Sequence, residues 1–254
     1  MRRPTGSTLP KASARLDQAL VAKGLAPSRS KAHALIRAGA VTLNGDVATR
    51  PATLVGDGEI ALTHDPCPWV SRGALKLLHA LEHFGVAPSG TALDVGASTG
   101  GFTEVLLSRG AAEVYALDVG RDQLHPSLRA DPRVQVLDGL NARDVADEVP
   151  PVDWIAADVS FISLTKALSA PLRRARPGAW LVALIKPQFE LGPKEVGKGG
   201  VVRNPADWSR AVARVQDFVS TSGWEVAGVT ESPITGADGN REWLLAARRT
   251  HQTE

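Results

Sequence analysis

Four aspartates give this 254-residue chain its first chemical signal. Asp94, Asp118, Asp138 and Asp158 each end an apolar run or sit just beside its end, at intervals of about twenty residues. The first run continues as Asp94-Val-Gly96-Ala97-Ser98-Thr99-Gly100-Gly101-Phe102, and small residues there let the backbone approach a ligand closely. Asp118, after the second run, can accept both hydroxyls of a ribose. Asp138, after the third, can receive an adenine amino group or a neighbouring backbone donor. One such aspartate would ordinarily cap the next helix. Four at this rhythm favour a nucleoside pocket.

The turn is not Gly-x-Gly-x-x-Gly, which disfavours a nicotinamide dinucleotide. Gly192-Pro-Lys-Glu-Val-Gly-Lys-Gly199 nearly spells a phosphate-binding loop, but Gly199 stands where a Ser or Thr would hold Mg²⁺, and Val-Val-Arg-Asn-Pro follows instead of a helix. It reads as a mobile, basic, glycine-rich loop beside the site. Asp94 sits in the turn that would otherwise hold pyrophosphate, so a phosphate-free cofactor fits better. S-adenosylmethionine, with its sulfonium and ammonium groups, suits nearby carboxylates. Lys186 ends the very apolar run Trp180-Leu-Val-Ala-Leu-Ile, where an ammonium is poorly solvated. A lysine there can serve as a general base.

The elements that must position these residues alternate. A helix through Ala74, Leu77, Leu78 and Leu81 is followed by strands at 91–95, 113–117, 134–137, 154–157 and 180–185, with helical patterns between. Apolar strands interleaved with helices predict a parallel α/β sheet, Rossmann-like, which binds ligands at the carboxyl ends of its strands. Asn204 with Pro205 starts a helix that stops at Gly223, and strands at 225–230 and 242–247 close the domain. Ahead of this lies a small α+β unit. Two short helices, capped by Ser13 and Ser28, precede a hairpin turning at Asn44-Gly45 and a strand near 59–62. The expected organisation is a flexible tail over 1–12, the small unit over 13–64, a proline-stiffened linker over 65–70 and the large domain over 71–254.

Charge divides along the same line. Residues 1–50 hold nine Lys/Arg and two Asp/Glu, so +7; residues 51–254 hold 20 and 25, so −5; the sum is +2. A basic head on a mildly acidic body suits a polyanionic partner. Arg29, His33 and Arg37 form one stripe of the second helix, with Arg15 and Lys31 nearby, able to grip phosphates or to form a solvated face. The single cysteine, Cys67, excludes a disulfide framework and a Cys-rich metal site and suits a reducing cytoplasm. No apolar run approaches the ~20 residues that span a bilayer. No metal site emerges: His79 and His83 share a helix face without a third ligand in view.

Arg15-Leu16-Asp17, Ser28-Arg29, Ala32, Ile36, Gly39, Val41 and Asn44-Gly45 resemble the S4-type RNA-binding domain. That resemblance implies recognition of structured RNA by the head, through Arg15, Ser28, Arg29, Lys31 and Arg37. Trp69-Val-Ser-Arg-Gly-Ala-Leu-Lys76, Leu93 to Thr103, Ala157-Asp158-Val-Ser-Phe-Ile-Ser-Leu and Leu184-Ile-Lys186-Pro-Gln-Phe-Glu190 resemble the FtsJ-like methyltransferases, and Gly236 to Glu242 is a weaker match. The two together look like the TlyA family of ribosomal RNA 2′-O-methyltransferases, also called hemolysins. The linker departs from that pattern, with Cys67 where an arginine is expected.

The resemblance implies a Lys-Asp-Lys-Glu tetrad on Lys76, Asp158, Lys186 and Glu242. It implies S-adenosylmethionine on Asp94, Gly96, Ala97, Ser98, Thr99, Gly100, Gly101, Phe102, Asp118, Asp138 and Asp158. Lys186 would take the proton of a ribose 2′-hydroxyl, Lys76 would stabilise the developing alkoxide, and the carboxylates would orient both. The implied activity is cytidine 2′-O-methylation in rRNA of the small and/or large subunit, by a cytoplasmic protein, monomeric or weakly oligomeric, with ribosomal subunits as partners and no membrane. Pyrimidine C5 chemistry generally needs a cysteine near the fourth strand, which is absent. Amino-group methylation typically uses Asn/Asp-Pro-Pro-Tyr/Phe; Asp158-Val-Ser-Phe161 keeps the ends and lacks both prolines. Phe161 could stack on a target base or fill a core. A non-catalytic RNA-binding assembly factor is the other reading. Membrane damage finds no support in any spanning or strongly amphipathic segment.

Overall fold

The computed structural model describes residues 14–26, 28–63, 67–145, 148–192, 195–197, 199–236 and 239–250. They fall into two compact units that divide after Pro68. The expected tail and the Ser13 cap lie outside the described residues.

In the first unit, α1 (Leu16–Ala22) and α2 (Arg29–Arg37) precede β1 (Val41–Leu43), β2 (Asp46–Val47) and β3 (Ile60–Leu62). The strands form an antiparallel sheet in the order β2-β1-β3. Ser28 caps α2, its Oγ accepting from Lys31 N at 3.2 Å. Asn44 and Gly45 both adopt positive φ, 55° and 87°, as a tight two-residue hairpin turn requires. Leu16, Leu20, Ala32, Leu35, Ile36 and Val41 form the core of this unit.

The second unit continues with α3 (Gly73–Phe84), β4 (Thr91–Val95), α4 (Gly101–Ser108), β5 (Glu113–Asp118), α5 (Pro126–Arg129), β6 (Val134–Asp138), β7 (Val152–Ala157), α6 (Leu164–Ala167), α7 (Pro171–Arg174), β8 (Ala175–Ile185), α8 (Pro187–Glu190), α9 (Pro205–Thr221), β9 (Trp224–Glu231) and β10 (Trp243–Arg249). Its seven strands are ordered β6-β5-β4-β7-β8-β10-β9. The first five are parallel, whereas β10 runs antiparallel to both β8 and β9. Parallel strands buried on both faces read as continuous apolar runs. Here Ala92, Trp154, Val182 and Leu184 face α3 and α4. Leu93, Ile155, Leu181 and Ala183 face the opposite layer, where Val215 and Val219 of α9 pack.

Strand order reverses between β4 and β7, which makes that crevice the topological switch point where such sheets bind ligands. Trp69 and Val70, read above as linker, pack against the α3–α4 layer, and Val70 N donates to Glu104 Oε2 at 2.7 Å. Cys67 is buried with its carbonyl accepting from Lys31 Nζ, a packing role. Asn204 Oδ1 caps α9 by accepting from Ala206 N at 3.1 Å, with Pro205 in the first turn. Asn204→Ala is expected to lower stability by about 1 kcal/mol, read as a shifted urea midpoint with an unchanged slope.

Candidate active site

Two adjoining cavities open at the switch point. The larger, about 620 Å³, is walled by Lys76, Asp158, Lys186 and Glu242 together with the turn after β4. The second, about 560 Å³, is bounded by Asp118, Gln123, Leu140, Asn141 and Val159. Gly96, Ser98, Asp158, Ser160 and Phe161 border both.

The tetrad arrives from four different elements. Lys76 lies on α3, flanking the buried stripe of Ala74, Leu77, Ala80 and Leu81. Glu242 immediately precedes β10, and Lys76 Nζ donates to its Oε2 at 2.5 Å. This pair is 10% and 2% exposed. Asp158 follows β7 and Lys186 follows β8, and Lys186 Nζ lies 2.6 Å from Asp158 Oδ1. Lys186 also donates to Ser160 Oγ at 2.9 Å. The antiparallel setting of β10 is what completes the group. Trp243 pairs with Ile185, so the start of β10 meets the end of β8.

The glycine turn positions both the cavity and Lys76. Gly96 has φ +87°, and a Cβ there would lie 2.6 Å from Asp158 O. A Cβ on Gly101 would lie 2.2 Å from Ser71 Oγ and 3.0 Å from Ala74 N, so only glycine lets α4 approach the start of α3 this closely. Ser98 is held at φ 47° with its N–H on Asp118 Oδ2 at 2.8 Å, while Gly120 N donates to Asp118 Oδ1 at 2.7 Å. Two backbone donors fix this carboxylate and leave lone pairs free for ribose hydroxyls. Leu117, Leu140, Ala142 and Val159 supply apolar walls for a flat base beside it. This donor set fits a nucleoside bearing a cationic sulfur, with carboxylates nearby and no cation-rich phosphate cradle in the turn.

Three of the expected cofactor residues stand elsewhere. Asp94 is fully buried; Thr103 Oγ1 donates to its Oδ2 at 2.6 Å, and it lies in neither cavity wall. Burial pushes this carboxyl up to about 7, helped by the nearby Asp158 and Asp118 charges and opposed by the Thr103 hydrogen bond. Gly100 also lies behind the wall, capping α4 with φ +97°. Asp138 is engaged by Arg129 at 2.5 Å and by Asp122 N at 3.2 Å, and it too is outside both walls. Arg129 hydrogen-bonds it below the usual carboxylate range. Gly96, Ala97, Ser98, Thr99, Gly101 and Phe102 do line the larger cavity.

Sequence reasoning did not single out Ser160, Gln188, Phe189 or Asn141 as site residues, although the first three lie within the stretches it quoted. Phe161 resolves its own alternatives: it is 91% exposed, has φ 64° and sits with its ring centroid 5.2 Å from that of Phe189. It is no core residue.

In the head, Asp17 is solvent-inaccessible and gathers the cations read above as a phosphate grip. Arg29 Nη2 donates to it at 2.8 Å, Arg15 Nε at 3.0 Å, and His33 Nε2 lies at 3.0 Å. Hydrogen bonds with His33, Arg29 and Arg15, in that order, hold its carboxyl well below the usual range. Arg37 is exposed and makes no ion pair among the described residues.

Residues 69–249 match the FtsJ-like methyltransferase family and residues 14–60 match the S4 domain. The chain is 50% identical over 240 residues to the Mycobacterium tuberculosis protein named 16S/23S rRNA (cytidine-2′-O)-methyltransferase TlyA, covering 92% of this chain and 90% of that one. The chain belongs to the TlyA family. It is a methyltransferase of the FtsJ-like kind. Other TlyA-like proteins carry hemolysin names. Hemolysin A of Brachyspira hyodysenteriae is 40% identical over 91% of this chain and 98% of its own. A solved structure named as a hemolysin of Streptococcus thermophilus is 37% identical, with a TM-score of 0.71, over 94% of this chain and 89% of that one. Among the described residues of this TlyA-family chain, no helix is long and apolar enough to cross a membrane.

Two outcomes follow for stability. Glu242→Ala leaves the Lys76 ammonium buried and unpaired, an expected loss of about 3–5 kcal/mol, whereas the double variant Lys76→Met/Glu242→Leu recovers most of it in chemical denaturation. The folded state keeps the Asp94 proton up to about pH 7, while the unfolded chain releases it near 3.8. That contribution to stability therefore falls as pH rises through this window and is level above it. Asp94→Asn is expected to remove the fall, read by comparing urea midpoints at pH 4.5 and 7.5.

Proposed function

We propose that this chain transfers the methyl group of S-adenosylmethionine to the 2′-hydroxyl of cytidine in ribosomal RNA of the small and large subunits. The observation that carries the reading is the pair of lysines in one cavity wall, each held by a carboxylate, next to a strand-end nucleoside cavity. The cytidine acceptor and the two subunits follow the name of the Mycobacterium tuberculosis relative. Asp158 belongs to both cavities, so donor and acceptor would meet at Lys186.

S-adenosylmethionine, when bound, supplies a methyl group on an already activated cationic sulfur. Gly96, Ala97, Ser98, Thr99 and Phe102 would bound it, and Asp118 would accept its ribose hydroxyls. Lys186 would take the 2′-hydroxyl proton at Nζ, so that the oxygen can accept the methyl group the cofactor supplies while the cofactor's sulfur keeps the bond pair. Lys76 stabilises the developing negative charge on the oxygen. Asp158, with Ser160, orients Lys186, and Glu242 orients Lys76. Geometry supplies most of the acceleration, because a hydroxyl held in line with the departing sulfur reacts as if intramolecular.

Phe161 holds a backbone conformation that costs a non-glycine residue about 1–3 kcal/mol. Its exposed ring at the cavity mouth suits stacking on a cytosine turned out of its helix. The S4 head would dock on folded RNA, with Arg15 and Arg29 splayed from Asp17 and Arg37 free to meet phosphates.

The test is methyl transfer from labelled S-adenosylmethionine to isolated ribosomal subunits, parent beside Lys186→Ala. The expected result is label at alkali-resistant linkages in both RNAs, with kcat reduced roughly 10²–10⁴-fold in the variant and cofactor affinity unchanged. Label on a base would move the assignment to amino-group methylation. Cofactor binding without transfer would favour the assembly-factor reading.

A further inference from the structure

Asn240 takes no part in the proton transfer, yet its side chain is almost entirely withdrawn from water, at 1% exposure. Both ends of its amide are used. Oδ1 accepts from Val202 N at 2.9 Å, and Nδ2 donates to Gly200 O at 2.9 Å. Among the described residues these are the only hydrogen bonds that join the segment around Gly199–Val202 to the loop between β9 and β10. Trp208 holds the far side of that segment, its Nε1 donating to Val202 O at 3.0 Å. Val196 and Gly200 on one side, and Ile234, Thr235 and Gly236 on the other, line the same cavity as the tetrad.

The connection continues to the ion pair. Gly236 N donates to Asn240 O at 2.9 Å. Gly236 stands so close to Glu242 that a Cβ on it would lie 2.6 Å from Oε1. The other carboxylate oxygen of Glu242 receives Lys76 Nζ at 2.5 Å. Glu242 O accepts from Ser232 N at 2.9 Å, which holds its backbone to the end of β9, and Gly236 bounds the side chain beyond it.

We propose that Asn240 is a positioning residue for methyl transfer: its amide clasps the Gly199–Val202 segment to the β9–β10 loop and, through Gly236, sets the Glu242 carboxylate against Lys76. The inference rests on the methyl-transfer reading for its kinetic consequence, but the clasp itself does not. An asparagine is required because one partner is a donor and the other an acceptor. Aspartate has nearly the same shape but sets a second acceptor oxygen against Gly200 O in place of the donor, and that repulsion pushes the segment away and draws Val202 N off its partner as well. Val202 and Asn240 themselves line neither cavity, so S-adenosylmethionine affinity is expected to be independent of the clasp.

The test compares the parent with Asn240→Asp and Gly236→Ala, in full-length protein. Four quantities are read: amide hydrogen exchange at Val202, the carboxyl carbon resonance of Glu242, and kcat and cofactor affinity in the rRNA assay. Asn240→Asp is expected to speed Val202 exchange at least tenfold, shift the Glu242 resonance and lower kcat at least tenfold, with cofactor affinity within twofold. A misplacement of about 1 Å is enough for a loss of that size. Gly236→Ala pushes on Glu242 directly, so it is expected to lower kcat similarly while Val202 exchange stays as in the parent. Unchanged Val202 exchange in Asn240→Asp overturns the clasp. Faster exchange with Glu242 and kcat both unmoved overturns the coupling, as does a parallel fall of kcat and cofactor affinity. Parental kcat in Gly236→Ala overturns the route through Gly236. A parent that transfers no methyl group to RNA defeats the functional reading instead, and exchange and resonance then decide the clasp alone.

Discussion

A lysine ammonium withdrawn from water needs an opposite charge in contact, and this requirement organises the large unit. Lys76 and Lys186 stand 10% and 11% exposed in the wall of one cavity. Each is held by a carboxylate delivered from a distant part of the chain; Glu242 lies 166 residues from Lys76. The fold must therefore bring together one helix, the ends of two parallel strands and the start of an antiparallel one. A pair that is buried, directional and hydrogen-bonded fixes position better than it adds stability. Position is what a proton transfer needs.

The sheet meets this requirement by two devices. The reversal of strand order between β4 and β7 opens a crevice at the carboxyl edge. There the glycine turn and Asp158 face each other across a distance too short for a side chain on Gly96. The antiparallel course of β10 then returns the chain to that edge at its own beginning, so a residue just before the strand joins residues just after β7 and β8. The head repeats the electrostatic logic at smaller scale: buried Asp17 gathers Arg15, Arg29 and His33. A cationic surface is thereby held in place by an anion beneath it, which leaves the head with fewer independent positive charges than its sequence suggests.

Asp94 and Asp138 show why carboxylates at strand ends are not equivalent. Both occupy the positions a nucleoside site would use, but Asp94 accepts from Thr103 and Asp138 from Arg129, and neither lines a cavity wall. Asp118 differs because its partners are backbone N–H groups, which hold the carboxylate at the strand end and leave it facing the ligand space.

The sequence by itself determined the local elements and their order. The Asn44-Gly45 turn, the Asn204-Pro205 start of α9, the glycine stop at 223 and the apolar strand runs are signals within a few residues, where backbone sterics and capping act. It also placed Gly96–Phe102, Lys186 and Asp158 at strand ends, because the strand–turn–helix rhythm is itself local. Only the tertiary structure decided which strand ends meet, that β10 runs antiparallel beside β8, that Asp94 turns inward, and that Asp17 claims the head's arginines. It also exposed Phe161 on a strained backbone and buried Asn240 between two loops, roles that residue type does not announce. Contacts of that kind join residues far apart in the chain. They depend on packing and hydrogen-bond satisfaction across elements, which no pattern confined to one element contains.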